Sequence, residues 1–235
     1  MSPTVNYWAV VPAAGVGKRM GGSLPKQFLA LGKKTVLEHS IEGLCHGVPL
    51  KGLVLVSAGH PAMASIQACH VGYPILRAPG GRERCHSVLN GLQVLHGKAQ
   101  PDDWVLVHDA ARPCVRVQDL HRLLKAAGSH PVGGLLGFHV HDTMKRADHD
   151  GNVTGTVERR GLWRAYTPQM FRYGMLHDAL VQALDDGYEV SDEASAMEHA
   201  GYRPLLVEGH ADNIKITHPD DLGLAEFYLR QQGRL

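Results

Sequence analysis

Short apolar runs alternate with stretches of helical spacing along most of this chain, and that alternation restricts its possible folds more than any other feature. Tyr7–Val11, Leu53–Ser57, Pro74–Arg77, Trp104–His108 and Val132–Val140 read as strands. Val36–His46, Met63–His70, Glu83–Leu95 and Val117–Ala127 carry apolar residues at helical intervals. Short apolar strands separated by helices predict an α/β class fold with a mainly parallel, doubly wound sheet. Ligands of such sheets sit beyond the carboxyl ends of the strands. The pattern resumes near the C-terminus, with helices predicted over Tyr173–Asp185, Glu193–Ala200 and Pro219–Arg230 and a strand over Arg203–Glu208. Ser191 or Asp192 is the expected cap of the helix at Glu193.

Residues 138–167 interrupt this rhythm. Phe138–Ala147 reads as an outgoing strand, Asp150-Gly151 as a hairpin turn signal and Val153–Arg159 as a returning strand. A two-stranded hairpin alone is marginal in water. The expectation is one domain over residues 1–235 with an inserted β-arm at 138–162 that lies against a second copy of the chain. A hairpin folded back onto its own domain is the other solution.

The first strand runs into Val-Val-Pro-Ala-Ala-Gly-Val-Gly-Lys-Arg-Met-Gly-Gly-Ser-Leu-Pro-Lys-Gln, residues 10–27. Glycines let backbone N–H groups approach a phosphate, and Lys18, Arg19 and Lys26 can neutralise its charge. A P-loop would need Ser or Thr after Gly17-Lys18, where Arg19 stands. A dinucleotide loop would need a third glycine where Met20 stands, and an acid at the end of the second strand, which reads Val56-Ser57-Ala58. What remains is a loop suited to a polyphosphate by another route. Downstream, Pro79-Gly80-Gly81 leads into a helix whose free N–H groups and glycine backbone suit a phosphate or a base edge.

With a formal net charge of +1 and a pI near 7.8, the chain has no global field favouring nucleic acid or a membrane surface, so an anion site must be local. Its four cysteines form no Cys-x-x-Cys pair, which fits reduced thiols and a cytoplasmic location. No apolar run reaches transmembrane length. His139 and His141 could face one side of a strand, but no third metal ligand stands at a convincing spacing, so they read as surface histidines.

Trp104-Val-Leu-Val-His-Asp109-Ala-Ala-Arg112-Pro is an apolar strand ending in an acid. Asp109 there can bind magnesium or accept from a ribose hydroxyl, or merely cap the next helix; Arg112 can clamp an anion. Asp212 and Lys215 place an acid and a base in one loop, and the arm carries Asp142, Thr143, Lys145, Arg146, Glu158, Arg159 and Arg160.

Taken in order, Gly-Val-Gly-Lys-Arg-Met with Pro-Lys-Gln, Gly-Gly-x-Glu-Arg-x-x-Ser-Val, Val-His-Asp-Ala-Ala-Arg-Pro, Asp-Thr-Met-Lys and Ala-Asp-Asn-Ile-Lys closely resemble the 2-C-methyl-D-erythritol 4-phosphate cytidylyltransferase family, nearly end to end. The resemblance implies a Rossmann-like nucleotidyltransferase domain and a homodimer joined through the arm. It also implies magnesium, or another divalent cation, and transfer of CMP from CTP to a polyol phosphate. By the same resemblance Arg19 and Lys26 stabilise the transition state, while Ala13, Ala14, Gly15, Gly17, Gly81 and Ser87 line the nucleotide site. Asp109 and Lys215 position the reactants. Arg112 holds the polyol phosphate, with Thr143 and Arg159 reaching across from the other subunit's arm. Asp109 and Asp212 are the candidate metal carboxylates. One departure stands out: some members carry an acid directly after the second glycine, where this chain has Arg82. Backbone rather than side-chain contact is expected there, because Gly80-Gly81 brings main chain close to the ligand. Ribitol 5-phosphate cytidylyltransferase is the nearest alternative. A silent nucleotide-binding module and a nucleotide-sugar transferase (whose Asp-x-Asp motif would have to be Asp148-His149-Asp150) are more distant ones.

Overall fold

In the computed structural model, residues 5–15, 24–60, 66 and 72–235 are described. A seven-stranded sheet forms the centre, in the order β11-β7-β10-β6-β1-β4-β5. Its strands are β1 (Tyr7–Pro12), β4 (Leu50–Ser57), β5 (Ile75–Pro79), β6 (Trp104–Val107), β7 (Gly133–His139), β10 (Trp163–Arg172) and β11 (Leu205–Glu208). All neighbouring pairs are parallel except those of β10, which runs antiparallel to both β6 and β7.

Side-chain alternation explains the layering. Ala9, Val11, Leu53, Leu55, Trp104 and Leu106 face one layer, with Leu37, Ile41 and Leu44 of α1 (Val36–Gly47) and Leu120 and Leu123 of α3 (Val117–Gly128). The intervening Trp8, Val10, Val54, Val56, Val105 and Val107 face the other. They meet Val88 and Leu92 of α2 (Arg84–Val94), Leu176 and Leu180 of α4 (Tyr173–Asp185) and Met197 of α5 (Glu193–His199). A third cluster joins Leu31 and Val36 to Ala225 and Leu229 of α6 (Asp220–Gln231), which closes the chain over the loop that follows β6.

Most predicted strands and helices form with shifts of a few residues at their ends, but the outgoing arm strand predicted over Phe138–Ala147 is broken: Phe138 and His139 end β7, residues 140–143 are not strand, and pairing in the arm begins only at Met144. Asp192 caps α5 by accepting from the Ser195 N–H at 2.9 Å. The helix predicted over Met63–His70 lies outside the described residues except for Ile66, which is helical. The sequence reading missed β10. It contains Pro168, and proline cannot donate to a ladder, which argues against a central strand. Its pairing with β7 jumps from Ala165 to Gln169, so Tyr166, Thr167 and Pro168 lie outside the regular register, where no ladder donor is needed. Two short strands, β2 (Ala30–Leu31) and β3 (Lys34–Thr35), were also unforeseen.

Strands β8 (Met144–Ala147) and β9 (Val153–Val157) pair with each other in a separate two-stranded sheet. Asp148 Oδ1 accepts from the N–H groups of Asp150 and Asn152, and Gly151 takes the positive φ of 85° that the turn requires. Residues 141–156 are all exposed, so this hairpin projects from the domain rather than folding back on it.

Candidate active site

β1 lies between β4 and β6, and the loops leaving β1, β5 and β6 open at the same edge of the sheet. This is where a crevice is expected in an open α/β sheet. The Ala13 N–H donates to Val56 O at 2.8 Å, carrying the strand direction into the glycine loop. Buried Gln27 then pins that loop, its Nε2 donating to Ala13 O at 2.8 Å and Gly15 O at 2.9 Å. Its neighbour Lys26, at the start of a short 3-10 helix (Lys26–Phe28), donates from Nζ to Ile216 O at 2.7 Å. The far wall is the entry to α2. A Cβ on Gly80 would stand 2.5 Å from Ala14 Cβ, so glycine is needed for close packing of the two loops. The Gly81 N–H donates to Ser87 Oγ at 2.9 Å, and that hydroxyl donates to Glu83 O at 3.1 Å.

Between these walls lies a cavity of about 530 Å³. Ala13, Ala14, Gly15, Lys26, Gly81, Ser87, Asp109 and Lys215 all line it. Arg82 lines it too, with its side chain largely exposed beside Glu83. Gly17 and Arg19 lie outside the described residues.

Asp109 is the hub. Its Oδ1 accepts from Arg84 Nε at 2.9 Å, while Oδ2 meets Lys215 Nζ at 2.9 Å and Arg112 Nε at 3.5 Å. Burial alone would raise its pKa, but Arg84, Lys215 and Arg112 outweigh that and hold the carboxyl well below the ordinary range. Asp109 is therefore ionised throughout the neutral range. Arg84 in turn forms a two-pronged pair with buried Glu193, at 2.6 and 3.0 Å. Burial disfavours the Arg84 charge, yet Glu193 and Asp109 more than offset it and raise its pKa. Three cations thus face two carboxylates, leaving net positive charge for a phosphorylated ligand.

A second cavity, about 180 Å³, shares Arg84, Asp109 and Lys215 with the first and adds Arg112, Tyr166 and Thr167. Arg112 is buried. It donates from Nη1 to Asn213 O at 2.7 Å and sits 4.9 Å from the Tyr166 ring centre. Its Nε is without a hydrogen-bond partner. Thr167 links the strand end to the same wall. Its Oγ accepts the Asp109 N–H at 3.0 Å and lies 3.0 Å from His108 Nδ1. His108 Nε2 lies 3.1 Å from Arg112 O, so Nε2 carries the hydrogen and Nδ1 accepts from the Thr167 hydroxyl.

Burial pushes His108 down to about 4, against the opposing pull of Asp109. Between its ordinary value of 6.5 and about 4, the unfolded chain takes up a proton that the folded chain does not. Stability must therefore fall as pH drops through that window, by up to about 3 kcal/mol from this group. His108→Gln should flatten this part of the pH–stability curve, read from denaturation midpoints across the window. An unchanged slope would contradict the assignment.

Three candidate residues lie outside both cavities of this chain, two of them on the arm expected to serve the other subunit. Asp212, read as a second metal carboxylate, lines neither cavity. It is buried against Arg116 at 2.6 Å and accepts from Gln232 at 3.0 Å, which makes it a brace for α6. Thr143 and Arg159 line neither cavity of their own chain; Arg159 donates instead to His141 O within the arm. Sequence reasoning gave no role to Gln27, Arg84, Thr167 or Glu193. Arg84 stands inside a quoted motif. Glu193 stands at a helix start among the small residues Ala194, Ser195 and Ala196, a setting that suits a buried side chain.

The family described as 2-C-methyl-D-erythritol 4-phosphate cytidylyltransferase matches residues 7–231. A protein of that name from Pseudomonas entomophila is 52% identical over 218 residues, 92% of each chain. One from Vibrio parahaemolyticus is 50% identical over 235 residues, 99% of each. Among solved structures, a 4-diphosphocytidyl-2C-methyl-D-erythritol synthase superposes with a TM-score of 0.83 at 38% identity, covering 97% of this chain and 100% of the other. The Francisella tularensis 2-C-methyl-D-erythritol 4-phosphate cytidylyltransferase does so with 0.79 at 32%, covering 95% and 100%.

Proposed function

This chain belongs to the 2-C-methyl-D-erythritol 4-phosphate cytidylyltransferase family, and from that premise we propose that it transfers CMP from CTP to 2-C-methyl-D-erythritol 4-phosphate, a step of isoprenoid biosynthesis. The substrate's phosphate oxygen attacks the α-phosphorus of CTP, the bond to the β-phosphate bridging oxygen breaks, and pyrophosphate leaves. One observation carries the reading: two cavities of unequal size meet at Asp109, Arg84 and Lys215, the larger beside the glycine loop and the smaller beside Arg112. That arrangement suits a nucleotide and a smaller phosphate ester converging on one point. Catalysis is then mostly positioning and electrostatics.

In this proposal the triphosphate lies along Ala13, Ala14, Gly15 and Gly17, with Lys26 and Arg19 bearing on the α-phosphate and the leaving group. Gly81 and Ser87 contact base and ribose. Asp109 orients Lys215 between the two substrates, and Arg112 takes the polyol phosphate.

The donor set also bears on magnesium. Asp109 is a carboxylate on the larger cavity's wall, and a carboxylate keeps acceptor capacity beyond two hydrogen bonds. One or two carboxylates plus phosphate oxygens is an ordinary environment for magnesium. Asp109 would hold it, and bound magnesium would neutralise phosphate charge.

The exposed arm supports a homodimer in which Thr143 of the partner subunit and Arg159 of the partner subunit complete the polyol site. Arg159→Ala should then raise KM for the polyol phosphate by on the order of tenfold, the cost of one charged contact, while leaving the CTP Kd nearly unchanged. Equal losses on both substrates would contradict a separate polyol site.

The test of the activity is pyrophosphate release with a panel of nucleotides and polyol phosphates. Release is expected with CTP, Mg²⁺ and methylerythritol phosphate together and with none of them omitted. Preference for ribitol 5-phosphate, or no release at all, would overturn the reading.

A further inference from the structure

The entry to α2 holds a group of donors that the proposed reaction does not use. Glu83, the residue before the helix, and Cys85 and His86 in its first turn bring a carboxylate oxygen, a thiol sulfur and an imidazole nitrogen within 4.8 Å of one another. No other such group of three exists among the described residues. Cys85 Sγ stands 3.5 Å from His86 Nδ1 and 3.9 Å from Glu83 Oε2. With zinc–sulfur and zinc–nitrogen bonds of usual length, a tetrahedral site has an S···N edge of about 3.5 Å. Two donors therefore stand at the required separation already; the third, on an exposed side chain, is a few tenths of an ångström wide of the sulfur edge and lies within 4.8 Å of the imidazole nitrogen, so Glu83 must swing inward to complete the set.

We propose that Glu83, Cys85 and His86 form a three-donor site for a zinc-class divalent cation on the rim of the nucleotide cavity. On binding, Cys85 releases its proton to solvent, the sulfur bonds the cation as thiolate, and thiolate plus carboxylate balance its two charges. The fourth position is left to water, as in open zinc sites. Thiolate and imidazole select zinc-class ions over magnesium, so the site stays distinct from the magnesium that accompanies the nucleotide. Arg84 stands between these residues in sequence but is committed to Asp109 and Glu193, so its charge is already answered.

The site adjoins the nucleotide wall. A Cβ on Gly81 would come 2.4 Å from His86 Cβ, and the Gly81 N–H is tied to Ser87. A cation at the α2 entry would therefore stiffen the segment from Gly81 to Ser87. Zinc should slow turnover of the wild type but spare Cys85→Ser. That consequence rests on the proposed cytidylyl transfer; the binding itself does not.

The deciding experiment is cobalt(II) titration of the full chain, followed by absorption. A near-ultraviolet thiolate-to-cobalt band with tetrahedral visible bands is expected, saturating at a single equivalent and displaced by zinc. It should vanish in Cys85→Ser and persist in Cys45→Ser, with far-ultraviolet circular dichroism confirming that both variants fold. Glu83→Gln and His86→Asn should each weaken cobalt binding by on the order of tenfold or more, as loss of even an outer partner can. These two variants decide the matter if Cys85→Ser does not fold. A spectrum without the thiolate band, its survival in Cys85→Ser, or unaltered affinity in the other two variants would overturn the site.

Discussion

Replacing Glu193 by alanine should destabilise the fold by about 3–5 kcal/mol, the cost of removing one partner from a buried ion pair. In a chain of this length that corresponds to a fall in Tm on the order of 10 °C. Glu193 is 1% exposed and holds both arms of the Arg84 guanidinium. Without it Arg84, Arg112 and Lys215 would crowd around Asp109 alone. The variant should also lose activity at temperatures where it remains folded, because Arg84 would turn from the Asp109 oxygen it now holds. Glu193→Gln keeps one acceptor for Arg84 and should lose less stability than alanine. Thermal unfolding of the three proteins reads this directly. Equal Tm values for wild type and alanine variant would refute the idea that Glu193 anchors the site.

The second large effect is on rate. Lys26→Ala should lower kcat by roughly 10²-fold or more, as loss of one strong transition-state donor does. Stability should change little, since the side chain is only partly buried and Nζ donates to a loop carbonyl, Ile216 O. That carbonyl bond must be exchanged for a phosphate oxygen when CTP binds, so part of the loss should also appear in KM for CTP. Arg19→Ala should show a comparable drop in kcat on the same grounds of charge placement. Steady-state kinetics with both substrates varied separates the two parameters. Near-normal turnover in both variants would remove these cations from the transition state.

The elements of this fold were legible where local pattern decides them. Apolar runs such as Leu53–Val56 and Val105–Val107 are buried on both faces, and their uninterrupted hydrophobicity announced parallel central strands. β10 was not legible because Pro168 disguises it, and only the register break opposite β7 reveals how a proline fits there. The same division runs through the site. Ala13–Gly15, Gly81 and Asp109 follow strands directly, so sequence position nearly determines their place. The partnerships of Arg84 with Glu193, 109 residues apart, and of Thr167 with the Asp109 N–H, 58 apart, exist only once the sheet has assembled. The placement of Asp212 was hidden for the same reason. It shares a loop with Lys215, but the loop turns its carboxylate inward to Arg116 while Lys215 reaches Asp109.

A crystal structure of this chain grown with CTP and Mg²⁺ bears on the central claim most directly. The triphosphate should rest against the backbone of Ala13 to Gly15 with Lys26 turned onto it, and the α-phosphorus should face the smaller cavity across Asp109 and Lys215. A nucleotide bound at another surface, with the glycine-loop cavity left empty, would contradict the account.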